Sequence, residues 1–254
     1  MPVDFGKTAE DYSQHRAGFP DELFERLPSY GVGIKGQKLL DLGCGTGTLA
    51  HGFARRGCEV TAIDRSAEMI AQAKCLGEQY GVAIEYRVTT AEEPGFDDDS
   101  FDVITAGQCW HWFDRSRAAE QTFRMLVNGG SLAICHFDWL PLPGNVVEAT
   151  ERLIMAHNTG WKMHGSPGIY PLWPRDIQIA GFARIETFSF DVDVPYTHAA
   201  WRGRVRASSG IAASLNEKQV AVFDTEHAAM LAERFPGNPL AVPHRVFAAI
   251  GRKE

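Results

Sequence analysis

A run of apolar residues that breaks into three alternating glycines limits the fold of this chain more than any other feature. Residues 38–48 read Lys-Leu-Leu-Asp-Leu-Gly-Cys-Gly-Thr-Gly-Thr, and apolar residues at helical spacing follow them. This pattern predicts a buried strand, a tight loop and the start of a helix. An ordinary strand-to-helix turn is the alternative interpretation, but it needs only one or two glycines. Because glycine lets the backbone pass close to a ligand, Gly43, Gly45 and Gly47 indicate a binding loop.

The spacing of these glycines distinguishes between two kinds of nucleotide ligand. In the dinucleotide fingerprint G-x-G-x-x-G, the third glycine would stand at position 48, which is Thr48. Here Gly47 is the third glycine and Asp41 precedes the loop, so the string is D-x-G-x-G-x-G. It resembles the first motif of the class I S-adenosylmethionine (SAM) dependent methyltransferases. The resemblance implies that Asp41 and the three glycines bind the methionine end of SAM, although Asp41 could instead accept a hydrogen bond from a nearby N–H group or lysine.

A second acidic residue, Asp64, ends the next predicted strand. A carboxylate there would lie beside the glycine loop and could accept hydrogen bonds from both ribose hydroxyls. An exposed turn residue is the alternative interpretation. The segment from Asp64 to Met69 is also similar to the family motif D-x-S-x-x-M, which implies that Asp64, Arg65 and Met69 bind the cofactor. Core packing would explain Met69 equally well, and Ser66 is placed to cap the following helix.

The loop after the third predicted strand corresponds to a family segment that often reads G-D-A-E. The resemblance implies that the backbone of Ala91 and the carboxylate of Glu92 contact adenine. Thr90 replaces the aspartate of the family pattern. A solvated loop residue is the alternative interpretation for Glu92.

Two tryptophans and a histidine follow the fourth predicted strand. The segment Gln108-Cys109-Trp110-His111-Trp112-Phe113-Asp114 resembles the Q-x-x-H-W-F-D signature of the type 11, small-molecule branch of the family. The resemblance implies that Gln108 contacts the cofactor and that Trp110 and Trp112 border the substrate. His111 is either a general base for the acceptor or a structural residue of the pocket wall, and both interpretations stay open.

An N-terminal segment resembles the Y-x-x-x-R-P-x-Y-P pattern that precedes the core in many small-molecule methyltransferases. Tyr12 and Arg16 match the pattern, whereas Ala17 replaces its first proline and Phe19 replaces its second tyrosine. The resemblance implies that Tyr12 closes the pocket and that Arg16 pairs with the cofactor carboxylate. A polar surface helix is the alternative interpretation.

Strands and helices alternate at short intervals through the first half of the chain, which predicts an α/β fold with a doubly wound, mostly parallel sheet. The family resemblance implies a seven-stranded, Rossmann-like methyltransferase sheet with a helical lid. We expect an N-terminal helical cap over residues 1–36 and a SAM-binding core over 37–137. Residues 138–254 would supply the remaining strands, the last of them antiparallel, together with lid insertions.

The lid insertions are rich in aromatic residues and arginine. Long aromatic loops beside a sheet tend to line binding sites. We therefore expect substrate contacts from this part of the chain, namely Trp161, His164, Tyr170, Trp201 and Arg206.

Composition excludes several classes of partner. The formal net charge is −7, and the only basic cluster is Arg202, Arg204 and Arg206, so a nucleic-acid partner is disfavoured. No apolar run is long enough for a membrane span or an export signal. The five cysteines are scattered without C-x-x-C spacing, which argues against a zinc site or a disulfide framework and favours a reducing cytoplasm.

Together these patterns predict an enzyme that moves a methyl group from SAM to an oxygen or nitrogen atom of a small molecule and releases S-adenosylhomocysteine. We expect a monomer or homodimer with no metal. A SAM-binding protein without methyltransferase activity is one alternative. An NAD(P)-dependent reductase is another, which the glycine spacing disfavours.

Overall fold

The computed structural model describes residues 18–212 and 214–254, so the predicted cofactor residues Tyr12 and Arg16 lie outside the described residues. Helices and strands alternate along the chain. The helices are α1 (Asp21–Arg26), α2 (Thr48–Ala54), α3 (Ala67–Tyr80), α4 (Arg115–Met125), α5 (Val146–His157), α6 (Trp173–Ile179), α7 (His198–Arg206) and α8 (Glu217–Arg234). The strands are β1 (Lys38–Leu42), β2 (Glu59–Asp64), β3 (Ile84–Val88), β4 (Phe101–Gly107), β5 (Leu126–Trp139), β6 (Ala183–Tyr196) and β7 (Leu240–Arg252).

The strands form one seven-stranded sheet in the order β3-β2-β1-β4-β5-β7-β6. Strand β1 pairs in parallel with β2 on one side and β4 on the other, and β3 and β5 extend the parallel region. Strand β7 runs antiparallel to β5, because the Gly129 N–H bonds to the Lys253 carbonyl while the Leu140 N–H bonds to the Pro243 carbonyl. The predicted doubly wound, mostly parallel sheet is therefore confirmed.

The boundary between α4 and β5 differs from the prediction. The glycines at 129 and 130 suggested a helix through Val127 and a strand from Ser131. Instead the helix ends at Met125, and β5 begins with Leu126, which pairs with Phe101 of β4. The register then shifts, and regular pairing of the two strands resumes at Ser131. The glycines thus lie inside an irregular strand and do not mark the helix end.

The described residues form two compact units. We call residues 18–137, 170–190 and 246–254 the sheet unit, and residues 138–169, 191–212 and 214–245 the helical unit. Leu40, Ile104 and Trp110 are fully buried in the core of the sheet unit. Helices α5, α7 and α8 belong to the helical unit, in whose core Trp201 and Phe223 are fully buried. The helical lid stays a prediction.

A hydrogen-bond network centred on Thr150 joins the three long helices of the helical unit. The Thr150 hydroxyl donates to the Val146 carbonyl at 2.7 Å, so its oxygen accepts from Trp201 Nε1 at 3.1 Å and from His227 Nε2 at 3.2 Å. This arrangement requires the proton of His227 to reside on Nε2. Its buried Nδ1 has no hydrogen-bond partner among the described residues. Burial lowers the pKa of His227 to about 4, so the imidazole is neutral near pH 7.

Within the described part of the chain, no helix has both the length and the apolar character needed to cross a bilayer.

Candidate active site

The glycine loop lies at the carboxyl end of β1, between the ends of β2 and β4. Gly43, Gly45 and Gly47 all have positive φ, at 58°, 55° and 87°. A Cβ at Gly43 would meet Cys109 at 3.0 Å, and one at Gly47 would meet the His51 ring at 2.6 Å. Apart from its two chain neighbours, no described residue would come within 4 Å of a Cβ at Gly45. Two of the glycines are therefore required by the protein's own packing, whereas Gly45 borders open space.

The Asp64 carboxylate lies against this loop. Its Oδ2 accepts the Gly45 N–H at 2.9 Å, and its Oδ1 accepts the Ser66 N–H at 2.9 Å. A carboxylate has about four acceptor positions, so each oxygen keeps one for a further donor. Asp64 is half-buried, and this arrangement fits a ligand that presents two adjacent hydroxyls.

Asp41 occupies a different position, inside the sheet unit. Its carboxylate is only 1% exposed and accepts the Thr105 hydroxyl at 2.7 Å from the neighbouring strand. Burial raises the pKa of Asp41 to about 7, against the opposing effect of the hydrogen bonds from Thr105 and from the Ala50 N–H. Asp41 therefore joins β1, β4 and α2 from the inside, and its direct contact with a cofactor stays a prediction.

Gln108 follows β4 in a left-handed conformation, with φ of 60°. Its N–H bonds to the Cys135 carbonyl at 2.8 Å, and its side chain is half-buried. A residue other than glycine in this conformation stores strain that often accompanies a ligand site. The position, at the end of the strand next to β1, agrees with the predicted cofactor contact.

His111 lies in an aromatic cluster at the carboxyl ends of β4 and β5. Its ring is 4.8 Å from that of Trp112 and 5.4 Å from that of His136. His136 packs 4.5 Å from Tyr170, which stacks on Trp173 at 4.1 Å. The cluster thus contains two sequence-predicted residues of the site wall, Trp112 and Tyr170, and a second histidine that the sequence analysis missed. The signal was present, because His136 stands near the end of a predicted core strand.

Three tryptophans that were predicted to bind substrate are buried in the core of the described structure, and their substrate contacts stay predictions. Trp110 is fully buried, and its indole N–H donates to Asp176 at 3.3 Å. Trp201 is fully buried in the Thr150 network. Trp161 is 7% exposed, and its indole N–H donates to Ser209 at 3.3 Å. Each side chain buries its large apolar surface and uses its single donor inside the protein.

Arg206 takes part in an ion-pair network, and its predicted substrate contact stays a prediction. Its guanidinium bonds to Asp224 Oδ1 at 2.9 Å, and Arg202 bonds to both oxygens of the same carboxylate. Although burial favours the neutral acid, hydrogen bonds from the two arginines lower the pKa of Asp224. The basic cluster therefore joins α7 to α8 as a partly buried ion-pair network.

The predicted adenine-side residues have mixed positions. Met69 and Ala91 are buried, at 5% and 4% exposed, and Arg65 is exposed. Glu92 Oε1 accepts the Asp114 N–H at 2.9 Å. The predicted cap at Ser66 is confirmed, because its hydroxyl accepts the Met69 N–H at 3.2 Å. Cofactor contacts of Arg65, Met69, Ala91 and Glu92 stay predictions.

Over residues 18–212 and 214–254, no group of three or more His, Cys, Asp or Glu side chains is arranged to bind a metal ion. All five cysteines are free thiols, and four of them are buried.

Comparison with known proteins agrees with the geometry of the glycine loop. Residues 40–134 match the family model described as a methyltransferase domain. The matched segment contains the glycine loop, Asp64, Gln108 and His111, so the candidate site lies within the part of the chain that is similar to this family.

Curated relatives match about half of this chain. An uncharacterized methyltransferase of Mycobacterium tuberculosis is 34% identical over 134 residues, which is 53% of this chain and 52% of that protein. A malonyl-[acyl-carrier protein] O-methyltransferase of Erwinia billingiae is 37% identical over 129 residues, or 50% and 49% of the two chains. The chain spans about half the length of the curated relatives it matches.

Solved structures are similar in fold to more of the chain than residues 40–134. A putative type II methyltransferase from Anaeromyxobacter dehalogenans aligns with a TM-score of 0.66 and 23% identity, over 93% of this chain and 97% of that chain. At this identity the likeness shows a shared fold.

Proposed function

We propose that the protein binds SAM in the cleft beside the glycine loop and transfers its methyl group to an oxygen or nitrogen atom of a small molecule. The observation that carries the proposal is the Asp64 carboxylate, which accepts the Gly45 N–H at 2.9 Å and keeps acceptor positions for a ribose. A ribose held by Asp64 would leave the methionine end of SAM beside Gly45, where, apart from the two chain neighbours, no atom of the described residues lies within 4 Å of an added Cβ.

The residues of the domain have distinct roles in this proposal. SAM, when bound, supplies an activated methyl group on a sulfonium. Asp64 holds and orients the sugar, Gly45 gives the cofactor room, and Gln108 borders the cleft at the end of β4. Trp112, which is 45% exposed, and Tyr170 form an aromatic wall that limits access of water to the reacting atoms.

His111 is the candidate base in this proposal. A neutral imidazole could take the proton that an acceptor O–H or N–H loses as its lone pair attacks the methyl carbon. The surrounding rings of Trp112 and His136 fix its position. A purely structural role is the alternative, and the two differ in the pH dependence that they predict.

An oxygen acceptor has the support of the similar malonyl-[acyl-carrier protein] O-methyltransferase, whose name describes O-methylation. We further propose that lid insertions within residues 138–254 contact the acceptor and that the protein works in a reducing compartment, since the five cysteines form no disulfide.

Calorimetric titration with SAM, S-adenosylhomocysteine and NAD tests the cofactor. We expect SAM and S-adenosylhomocysteine to bind and NAD not to bind. Incubation with methyl-labelled SAM and a panel of hydroxyl and amine acceptors then tests transfer by mass spectrometry. Binding of NAD alone would indicate a reductase. Tight SAM binding without any methylated product would indicate a SAM-binding module.

A further inference from the structure

The helical unit contains a groove of about 620 Å³, and its lining includes His164, whose predicted substrate contact stays a prediction. Small-molecule sites commonly have volumes of about 300–1,000 Å³. One wall is apolar and is formed by Leu140, Pro141, Leu142 and Met155. Glu151 on α5 lines the same groove and is only 5% exposed. The groove therefore combines apolar surface with a buried acid.

Among the described residues, the buried acid is hydrogen-bonded but forms no ion pair. Glu151 Oε1 accepts the Trp139 indole N–H at 2.8 Å, and Oε2 accepts the Gly165 N–H at 2.8 Å. Both donors are neutral, and they leave about half of the acceptor capacity of the carboxylate unused. Two charged groups act on Glu151 from nearby: His164, which lines the same groove, favours its ionised form, and Asp138 disfavours it. A buried charge without a direct ion-pair partner is unfavourable, so a cation bound beside Glu151 would be stabilised.

The two arginines that line the groove are already paired. Arg245 forms a two-pronged pair with Asp191, with distances of 2.6 and 2.8 Å, and also donates to the Pro167 carbonyl at 3.0 Å. Arg152 bonds to Glu148 at 2.7 Å. Both arginines are therefore paired with other carboxylates. Among the described lining residues, Glu151 is the carboxylate without an arginine partner.

We infer that this groove is a binding site for a small organic amine, whose ammonium group pairs with Glu151 while its hydrocarbon part packs on the apolar wall. The charge of the ligand follows from the acid, and its apolar body follows from the leucines, proline and methionine. Burial also raises the pKa of Glu151, with partial compensation by the Gly165 and Trp139 hydrogen bonds. Amine affinity should therefore weaken as the pH falls, because protonation of the acid removes the pairing charge.

Titration of the full chain with three six-carbon probes tests the inference. At pH 8, and without SAM, we expect hexylamine to bind saturably and at least tenfold more tightly than hexan-1-ol, and hexanoate not to bind. Glu151→Gln should reduce hexylamine affinity at least tenfold. Glu233→Gln, the same change on an exposed part of α8, should leave it unchanged.

A second variant keeps the test decisive if Glu151→Gln does not fold. Leu142 is 47% exposed at the groove, so Leu142→Arg should fold and should weaken hexylamine binding by charge repulsion. The inference is overturned if hexanoate binds as well as hexylamine, if hexylamine does not bind at all, or if both groove variants bind it like the unmodified protein. SAM binding is measured separately, so failure of the proposed function would leave this test intact.

Discussion

Asp64 is the residue on which cofactor binding depends most directly. Its two oxygens are already oriented by the N–H groups of Gly45 and Ser66, so they are preorganised to accept further donors. Hydrogen bonds to charged groups contribute roughly 1.5–3 kcal/mol each. We expect Asp64→Ala to weaken SAM binding by about 10- to 100-fold or more in calorimetry. Asp97→Ala, in an exposed turn, is the matched control, and unchanged SAM affinity in Asp64→Ala would refute the ribose assignment.

The role of His111, as a general base or as a packing residue of the aromatic cluster, can be tested by substitution. If it is the base, His111→Ala should lower kcat by about 10²- to 10⁴-fold while SAM affinity stays normal. The acidic limb of the kcat profile, measured with an acceptor identified in the screen, should also flatten. A loss of SAM affinity or of thermal stability with an unchanged pH profile would assign His111 a structural role.

At the level of single residues, sequence patterns predicted the position of a functional group, but they did not predict which side chains are buried. The acidic residue after the second strand was placed beside the glycine loop by motif spacing alone, and Asp64 lies there. Aromatic side chains are expected in the wall of a binding site, but three of the tryptophans are buried in the core, namely Trp110, Trp161 and Trp201. A tryptophan suits both environments, and only the three-dimensional packing distinguishes them. His136 was missed because its partners, Tyr170 and Trp173, come from a distant segment.

The glycine loop is the element whose backbone geometry the site depends on. Alanine at a left-handed position costs about 1–2 kcal/mol. Gly45→Ala should reduce the free energy of unfolding by little more than this amount, because its methyl group points into open space. The same methyl group should abolish or strongly weaken SAM binding. Gly47→Ala should destabilise the protein further, since its methyl group would collide with His51, which is held by Ala73 and Tyr86. Normal SAM affinity in Gly45→Ala would show that the open space is not the cofactor site.

Elements with strong periodicity could be predicted from sequence, whereas boundaries set by distant pairing could not. The apolar run before the loop has one possible role, a central strand, and β1 is that strand. The start of β5 depends on Leu126 finding Phe101 across the sheet, and nothing local to residues 126–130 encodes that pairing. Asn128, Gly129 and Gly130 suit a helix end and an irregular strand equally well.

At the scale of the whole molecule, buried titratable groups set opposing pH dependences of stability. Asp41 has a pKa of about 7 in the fold against about 3.9 when unfolded. The folded state therefore binds more protons between these values, and the stability contribution present below pH 4 is lost as the pH rises towards 7. Asp41→Asn should raise Tm at pH 8 relative to the unmodified protein and have little effect at pH 4. An equal Tm difference at both pH values would contradict the buried acid.

His227 acts in the opposite direction. Its pKa is about 4 in the fold and about 6.5 when unfolded, so its contribution is present above pH 6.5 and is lost as the pH falls through 4. His227→Gln keeps a donor for Thr150 but cannot titrate. We expect the variant to lose less Tm than the unmodified protein between pH 7 and pH 4, as followed by circular dichroism. Parallel Tm curves would show that His227 is not the acid-sensitive group.

The position of β7 constrains the moment at which the protein acquires its native state. This strand comes after β6 in the chain, yet it lies between β5 and β6 in the sheet. Until residues 240–252 are available to pair, β5 has an open edge and β6 has no neighbouring strand to hydrogen-bond. Exposed edges of this kind recruit strands from other chains, so insertion of β7 is the step that protects the partly folded sheet from aggregation.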